Sequence, residues 1–141
     1  MSILSQHVPP SLSFGQAVSA CFSKYATFTG RARRSEYWWF TLLLFVIGLL
    51  TNIAYYVVLF QGNGDLSQAQ SVSVIGGIIY LAFFLPSIAV LFRRLHDTGH
   101  SGWCWLLGII PLVGAIILLV WCCQDSDPMP NKYGPSPKYE D

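Results

Sequence analysis

The segment His96-Asp97-Thr98-Gly99-His100 gathers the side chains with the most chemical potential in this chain. Two histidines four residues apart on a helix can hold a metal ion, because both rings then lie on one face. Here Gly99 falls between them, which favours a turn over a helix, and no third ligand is apparent. Asp-Thr-Gly also occurs in aspartic proteases, but that chemistry needs two carboxylates sharing a proton, and the strand-rich surroundings are missing. A general acid–base role for His96 with Asp97 is a third option. All three compete with a plainer account, a tight turn in which Asp97 or Thr98 bonds backbone amides and Gly99 takes a positive φ. The plainer account is preferred, and no catalytic residue, metal or cofactor is expected.

A second cluster is basic. Arg31, Arg33 and Arg34 precede Glu36, and Arg93 and Arg94 precede Asp97. Guanidinium groups at headgroup depth attract anionic lipid by about 1 kcal/mol each, and a pair of them can clamp a phosphate. The plainer account has these arginines fixing topology and pairing with Glu36 and Asp97. The formal net charge is only +1 and the basic cluster directly abuts an apolar stretch, so no nucleic-acid partner is expected. The cysteines, Cys21, Cys104, Cys122 and Cys123, show no Cys-x-x-Cys spacing, and the adjacent Cys122 and Cys123 read as small apolar fillers at the membrane boundary.

The elements that must position these residues follow from where charge is missing. Of the 141 residues 53% are hydrophobic and 11% charged, whereas a soluble domain carries charge at about 25% of its positions. Every charged side chain lies in Lys24–Glu36, at Asp65, in Arg93–Asp97 or in a tail from Asp125 onward. The charge-free stretches 37–64, 66–92 and 101–124 each hold roughly 20 mostly apolar residues, enough to cross a hydrocarbon core as a helix. The expected fold is therefore an all-α membrane protein with three transmembrane helices, at about 37–60, 71–92 and 103–123. An amphipathic helix over 12–27, capped by Ser11 or Ser13, precedes them and completes a membrane domain over 12–123. Its stripe of Phe14, Val18, Cys21, Phe22 and Tyr25 suits either the membrane interface or packing on the spans. Residues 1–11 read as a disordered lead without signal-peptide character, and 124–141 as a polar, proline-rich, extended tail.

Details within the spans carry further expectations. Ser73 and Gly77 form a small-xxx-small contact face, and Pro86 introduces a kink. Asn52, the strongly polar side chain inside a span, is expected to bond a neighbouring helix. No Asp, Glu, Lys, Arg or His sits at mid-membrane, which argues against transport by an isolated subunit. Pro111 and Gly114 interrupt the third stretch. Basic residues flank the spans asymmetrically, so the N-terminus is placed in the cytoplasm and, with three spans, the C-terminus outside. A third segment that re-enters at Pro111 would return the tail to the inside.

Four ordered motifs also resemble a known family. They are Phe28-x-Gly30-Arg31-Ala32-Arg33-Arg34-Ser35-Glu36-Tyr37-Trp38, Arg93-Arg94-Leu95-His96-Asp97-Thr98-Gly99-x-Ser101-Gly102-Trp103, Ile110-Pro111-Leu112-Val113-Gly114 and Asn131-x-Tyr133-Gly134-Pro135-x-Pro137. The chain resembles the domain of unknown function 805 family of small bacterial inner-membrane proteins over about residues 14–138. The resemblance implies a bacterial inner-membrane location and brings no established activity or catalytic residue. Position 100 is often basic in that family and is His here, which counts against His100 as a metal ligand. Ser136 stands where an Asp is common.

The reading that results is a multi-pass inner (plasma) membrane protein, N-terminus cytoplasmic and non-enzymatic. Its Arg-rich cytoplasmic face, formed by Arg31, Arg33, Arg34, Arg93 and Arg94 with Glu36 as charge partner, engages anionic lipid, a protein partner or a second copy of itself. The competing readings are a membrane enzyme acting on a lipid or phosphate-bearing substrate at His96 and Asp97, and an accessory subunit of a transporter.

Overall fold

A computed structural model describes residues 8–139, and within them the chain is helical, with one isolated bridge between Asn131 and Gly134. Helix α1 spans Phe14–Ser23, α2 Arg34–Gln61 and α3 Leu66–Asp97; a 3-10 helix over Gly102–Ile109 follows, and then α4 over Val113–Cys123. Helices α2 and α3, with 28 and 32 residues, are long and apolar enough to cross a membrane. A turn at Gly62–Gly64 joins them, and Asp65 caps α3 by accepting from Ser67 N at 2.9 Å. The expected disordered lead falls largely on residues 1–7, outside those described. Of the rest of that lead, Pro9 and Pro10 present their carbonyls to Arg33 at 3.1 and 3.0 Å.

Helix α1 starts at a capping box. Ser13 Oγ accepts from Gln16 N at 3.4 Å, and Gln16 Oε1 accepts from Ser13 N at 3.0 Å, so two orphan amides are satisfied reciprocally. The helix is shorter than its apolar stripe, ending at Ser23. It buries Ala17 and Cys21 against α2 and α3, with Phe22 edge-on to Phe40 and Phe83.

Glycines set the contact between α2 and α3. A Cβ at Gly48 would lie 2.1 Å from Tyr80 Oη, and one at Gly76 would lie 2.4 Å from Thr51 Cγ2. Without those side chains the helices close up. The close approach thus uses Gly76 and not the expected Gly77, which faces open space. Asn52 bonds within its own helix, donating to Gly48 O at 2.8 Å, in place of the expected neighbour. Pro86 lacks an amide hydrogen, which leaves the carbonyl of Ala82 without its helical donor. The hydroxyl of Tyr25, just beyond α1, donates to that carbonyl. A backbone defect in α3 is thereby turned into a tether for the N-terminal segment.

The third apolar stretch is not one helix, which corrects the expected span over 103–123. It runs as the 3-10 helix to Ile109, turns at Pro111 and Leu112, and returns as α4. Leu112 has φ +62°, and a Cβ at Gly114 would sit 1.6 Å from the Leu107 carbonyl oxygen. Glycine at 114 is what lets the two arms lie against each other. His100, before the first arm, stacks on Trp121, near the end of the second, with centroids 3.8 Å apart. A continuous helix would separate these residues by roughly 30 Å. The arms form a hairpin whose two ends meet at one place, and the tail that follows folds onto the end of α3 in place of extending.

Candidate functional site

The two arginine segments distant in sequence do come together, and they do so in the interior. Ala32 N donates to Arg93 O at 3.0 Å, which clips the segment before α2 onto the last turns of α3. Within that clip Asp97 is 0% exposed. Its Oδ1 accepts from Arg31 Nε at 2.9 Å, with Arg31 Nη2 also 2.9 Å away. Its Oδ2 accepts from Arg94 and from the Ser126 hydroxyl, the latter at 2.6 Å. One carboxylate therefore joins three parts of the chain: the segment before α2, the end of α3 and the tail.

The Arg31 and Arg94 guanidinium groups also reach backbone carbonyls. Arg31 donates to Asp127 O at 2.6 Å, Met129 O at 3.0 Å and Gly134 O at 3.3 Å. Arg94 donates to Ala32 O at 3.1 Å, to Cys122 O at 3.2 Å and to Gln124 O. The Cys122 carbonyl is among the unsatisfied ones at the C-terminal end of α4, where a helix carries partial negative charge, and Gln124 follows directly. Arg34 adds to this end, donating to Cys123 O at 3.4 Å and pairing with Asp125 at 3.2 Å. Arginine is suited to the task because its rigid fork serves several acceptors at once.

Glu36 pairs with Arg93, and both are buried. Cys21 Sγ lies 3.9 Å from the same carboxylate. Burial, reinforced by the Glu36 charge, pushes the Cys21 thiol up to about 12, so it stays protonated and unreactive. The Nε and Nη2 of Arg93 have no hydrogen-bond acceptor among the described residues. At the rim, burial raises Asp125, but the Lys138 ammonium, the Ser126 amide and Arg34 outweigh it and hold the carboxyl below its ordinary value.

The side chains singled out by sequence thus separate into two groups. Arg31, Arg93, Arg94, Glu36 and Asp97 are buried and bonded to one another or to backbone. Arg33 is half-buried over Pro9 and Pro10, and the Arg34 side chain is 47% exposed. His96 and Asp97, adjacent in sequence, take separate partners. His96 Nδ1 lies 3.0 Å from Gly30 O and its ring stacks on Tyr133 at 3.9 Å, while Asp97 is held by arginines. His100 belongs to a third environment, with Nδ1 3.0 Å from the Thr98 hydroxyl and its ring on Trp121. Gly99 has φ +79°, as a turn at this position requires.

Sequence reasoning missed the tail. Ser126, Asn131 and Tyr133 supply groups to the site, with Asn131 Nδ2 donating to His96 O at 3.0 Å. It also missed a cavity of about 540 Å³ beside His96, lined by Phe28, Phe92, Ser101, Trp103 and Tyr133. The signal was present in the placement of the tail acids Asp125 and Asp127 among so few charges, once Pro111 and Gly114 are read as a reversal.

A family model described as a protein of unknown function, DUF805, matches residues 25–135. The chain is 41% identical over 120 residues to inner membrane protein YhaH of Escherichia coli (strain K12), covering 82% of this chain and 91% of that protein. It is 37% identical over 115 residues to inner membrane protein YhaI of the same strain, covering 82% and 89%. No solved structure matches the chain. Both arginine segments, the Pro111 reversal and the Asn131–Gly134 turn lie inside the matched region, and the chain belongs to the DUF805 family.

Proposed function

We propose that this protein is a non-enzymatic component of the bacterial inner membrane, crossing it with α2 and α3 and re-entering it with the 102–123 hairpin. Both described ends then lie on the cytoplasmic side. The observation that carries the reading is the Arg31–Asp97–Arg94 latch, which ties the segment before α2, the end of α3 and the tail into one buried network. That arrangement supports placing every Lys and Arg on one membrane face, since the 62–65 loop at the opposite ends of α2 and α3 has neither. A bias of eight basic residues to none favours the cytoplasm for that face.

Of the basic side chains outside the latch, Arg93 is buried on Glu36 and Lys138 is largely covered beside Asp125, so Lys24, Arg33, Arg34 and Lys132 are the ones placed to meet anionic lipid or an acidic partner protein. Each such charge contributes about 1 kcal/mol near an anionic surface. The enzyme reading loses support because Asp97 is saturated by two guanidinium groups and a hydroxyl, which leaves no acid–base pair with His96.

Topology and lipid contact are testable together. In a Cys104→Ser background, exposed Cys123 should react with an impermeant maleimide only in inside-out vesicles, and an added Asn63→Cys only in right-side-out ones. Native mass spectrometry should show anionic lipid lost on joint replacement of Lys24, Arg33 and Arg34 by Gln and kept on replacement of Arg31. Labelling of Cys123 and Asn63→Cys from the same side would overturn the topology. Lipid retention unchanged in the triple variant would overturn the contact.

A further inference from the structure

We propose that the cavity beside His96 binds the uncharged, hydroxyl-bearing ring of a membrane-soluble hydroquinone, with the ring's O–H donating to His96 Nε2. Three stretches far apart in sequence build this cavity: Phe28, the run from Phe92 and His96 of α3 to Ser101 and Trp103, and Tyr133 of the tail. Its volume of about 540 Å³ is in the range of small-molecule sites, which are mostly apolar with a few convergent polar atoms. Phe28 and Trp103 stand edge-on to Phe92 at 5.2 and 5.6 Å, and a Cβ at Gly102 would collide with the Phe92 ring at 2.1 Å. The glycine preserves the ring position that shapes one wall.

The polar atoms select the ligand class. At neutral pH an imidazole carries one ring proton. Gly30 O only accepts, so the 3.0 Å contact assigns that proton to Nδ1. Nε2 is then a lone-pair acceptor, on a ring held in place by Tyr133 stacking at 3.9 Å and 6°. An acceptor in an apolar cavity calls for a ligand donor and leaves an all-acceptor ligand unpaired. A cationic donor is disfavoured because the Lys132 ammonium already sits 5.0 Å from the Tyr133 centroid. The Ser101 hydroxyl, whose oxygen accepts from Trp103 N at 3.4 Å, keeps its own proton for a second ring oxygen. An uncharged planar ring with one donating and one accepting oxygen meets all of these demands, and its oxidised quinone does not. Trp103 is 67% exposed, which leaves one side open for an apolar tail.

The test uses full-length protein in nanodiscs, a decyl-substituted hydroquinone, its quinone and its dimethyl ether. The hydroquinone should bind about fivefold or more tightly than either, the factor one hydrogen bond supplies, and should shift the ¹⁵N resonance of His96 Nε2. Trp103→Ala, at an exposed position, should weaken hydroquinone binding by about fivefold or more. His96→Phe should bring the hydroquinone-to-quinone ratio to one; if that variant does not fold, the Nε2 shift in the native chain decides. Equal affinity for the three compounds, an unmoved Nε2 resonance, or a Trp103→Ala variant that binds like the native chain would each overturn the proposal. The maleimide sidedness experiment involves no ligand, so a failure here is distinct from a failure of the topology.

Discussion

Replacing Asp97 by Asn removes the charge at the centre of the latch while keeping its shape. The carboxylate is 0% exposed and takes hydrogen bonds from Arg31 at 2.9 Å, from Ser126 at 2.6 Å and from Arg94. An amide has one accepting oxygen and a nitrogen that only donates. Whichever way it turns, one arginine faces a donor, and two buried guanidinium groups lose their counter-charge. Removing one partner of a buried pair costs about 3–5 kcal/mol, because the remaining charge stays out of water. Arg31 keeps Asp127 O at 2.6 Å and Met129 O at 3.0 Å, which places the expected loss at the lower end. That is about 3 kcal/mol, or roughly a hundredfold in the folding equilibrium. Denaturant unfolding in mixed micelles, followed by tryptophan fluorescence, measures it. Arg94→Met alone should also destabilise, and the double variant should lose less than the sum by about 1 kcal/mol or more, since the two side chains are in contact. A loss below about 0.5 kcal/mol for Asp97→Asn, the size of an ordinary surface change, would refute the reasoning. So would a strictly additive cycle.

Other perturbations probe the hairpin and the tethers. Gly114→Ala places a methyl group 1.6 Å from the Leu107 carbonyl oxygen, so the arms must part at a cost of about 1–3 kcal/mol; trypsin should then cut the tail at Lys132 several-fold faster, and an unchanged rate would count against the hairpin. Tyr25→Phe should cost about 1 kcal/mol by stranding the Ala82 carbonyl. Pro86→Ala restores that carbonyl's helical donor, so in its presence Tyr25→Phe should be nearly silent in the same unfolding assay. Burial holds His100 below its ordinary value on the face of Trp121. Its folded form therefore binds a proton less readily than the unfolded chain, and its contribution is intact above about pH 6.5 and declines as the pH falls through the lowered value. His100→Asn should flatten that slope of unfolding free energy against pH, and an unaltered slope would show that the decline belongs to other groups.

Much of the helical layout was legible because the bilayer constraint writes itself into charge spacing. Charge-free stretches near 37–64 and 66–92 correspond to α2 and α3, whose ends at Arg34 and Asp97 fall where charge resumes. The third stretch misled because composition measures apolar length and not direction. Pro111 and Gly114 mark an interruption in either case, and only the Gly114–Leu107 contact and the His100–Trp121 stack show that the chain doubles back. The pairing of acids with arginines was legible as a set but not as a map. Sequence brings Glu36 beside Arg34 and Asp97 beside Arg94, whereas Glu36 pairs with Arg93 across helices and Asp97 reaches Arg31 as well. The cavity beside His96 was invisible because its walls come from residues 28, 92, 103 and 133, whose proximity depends on the tail returning.

The burial of so much charge at one end of a largely apolar molecule needs a physical reason beyond stability. Well-packed apolar residues often stabilise as much as a buried ion pair does, because the pair must first be desolvated. Within a bilayer, however, apolar faces gain little by leaving lipid for one another, so they do not specify which helix meets which. The outward faces here carry Phe45, Leu50, Ile78 and Leu81, all exposed in the isolated chain and chemically alike. Directional bonds can do what such faces cannot. A carboxylate reached from two arginines and a serine is satisfied in one arrangement of three segments, and each alternative strands a charge. The hairpin arms, which contain no charge of their own, are fixed at their open end by Arg34 and Arg94 on the carbonyls of Cys123, Cys122 and Gln124. On this argument the arginines closest to the bilayer serve first to choose the fold's connectivity at the membrane face, and the network selects the one conformation in which the cavity beside His96 has all of its walls.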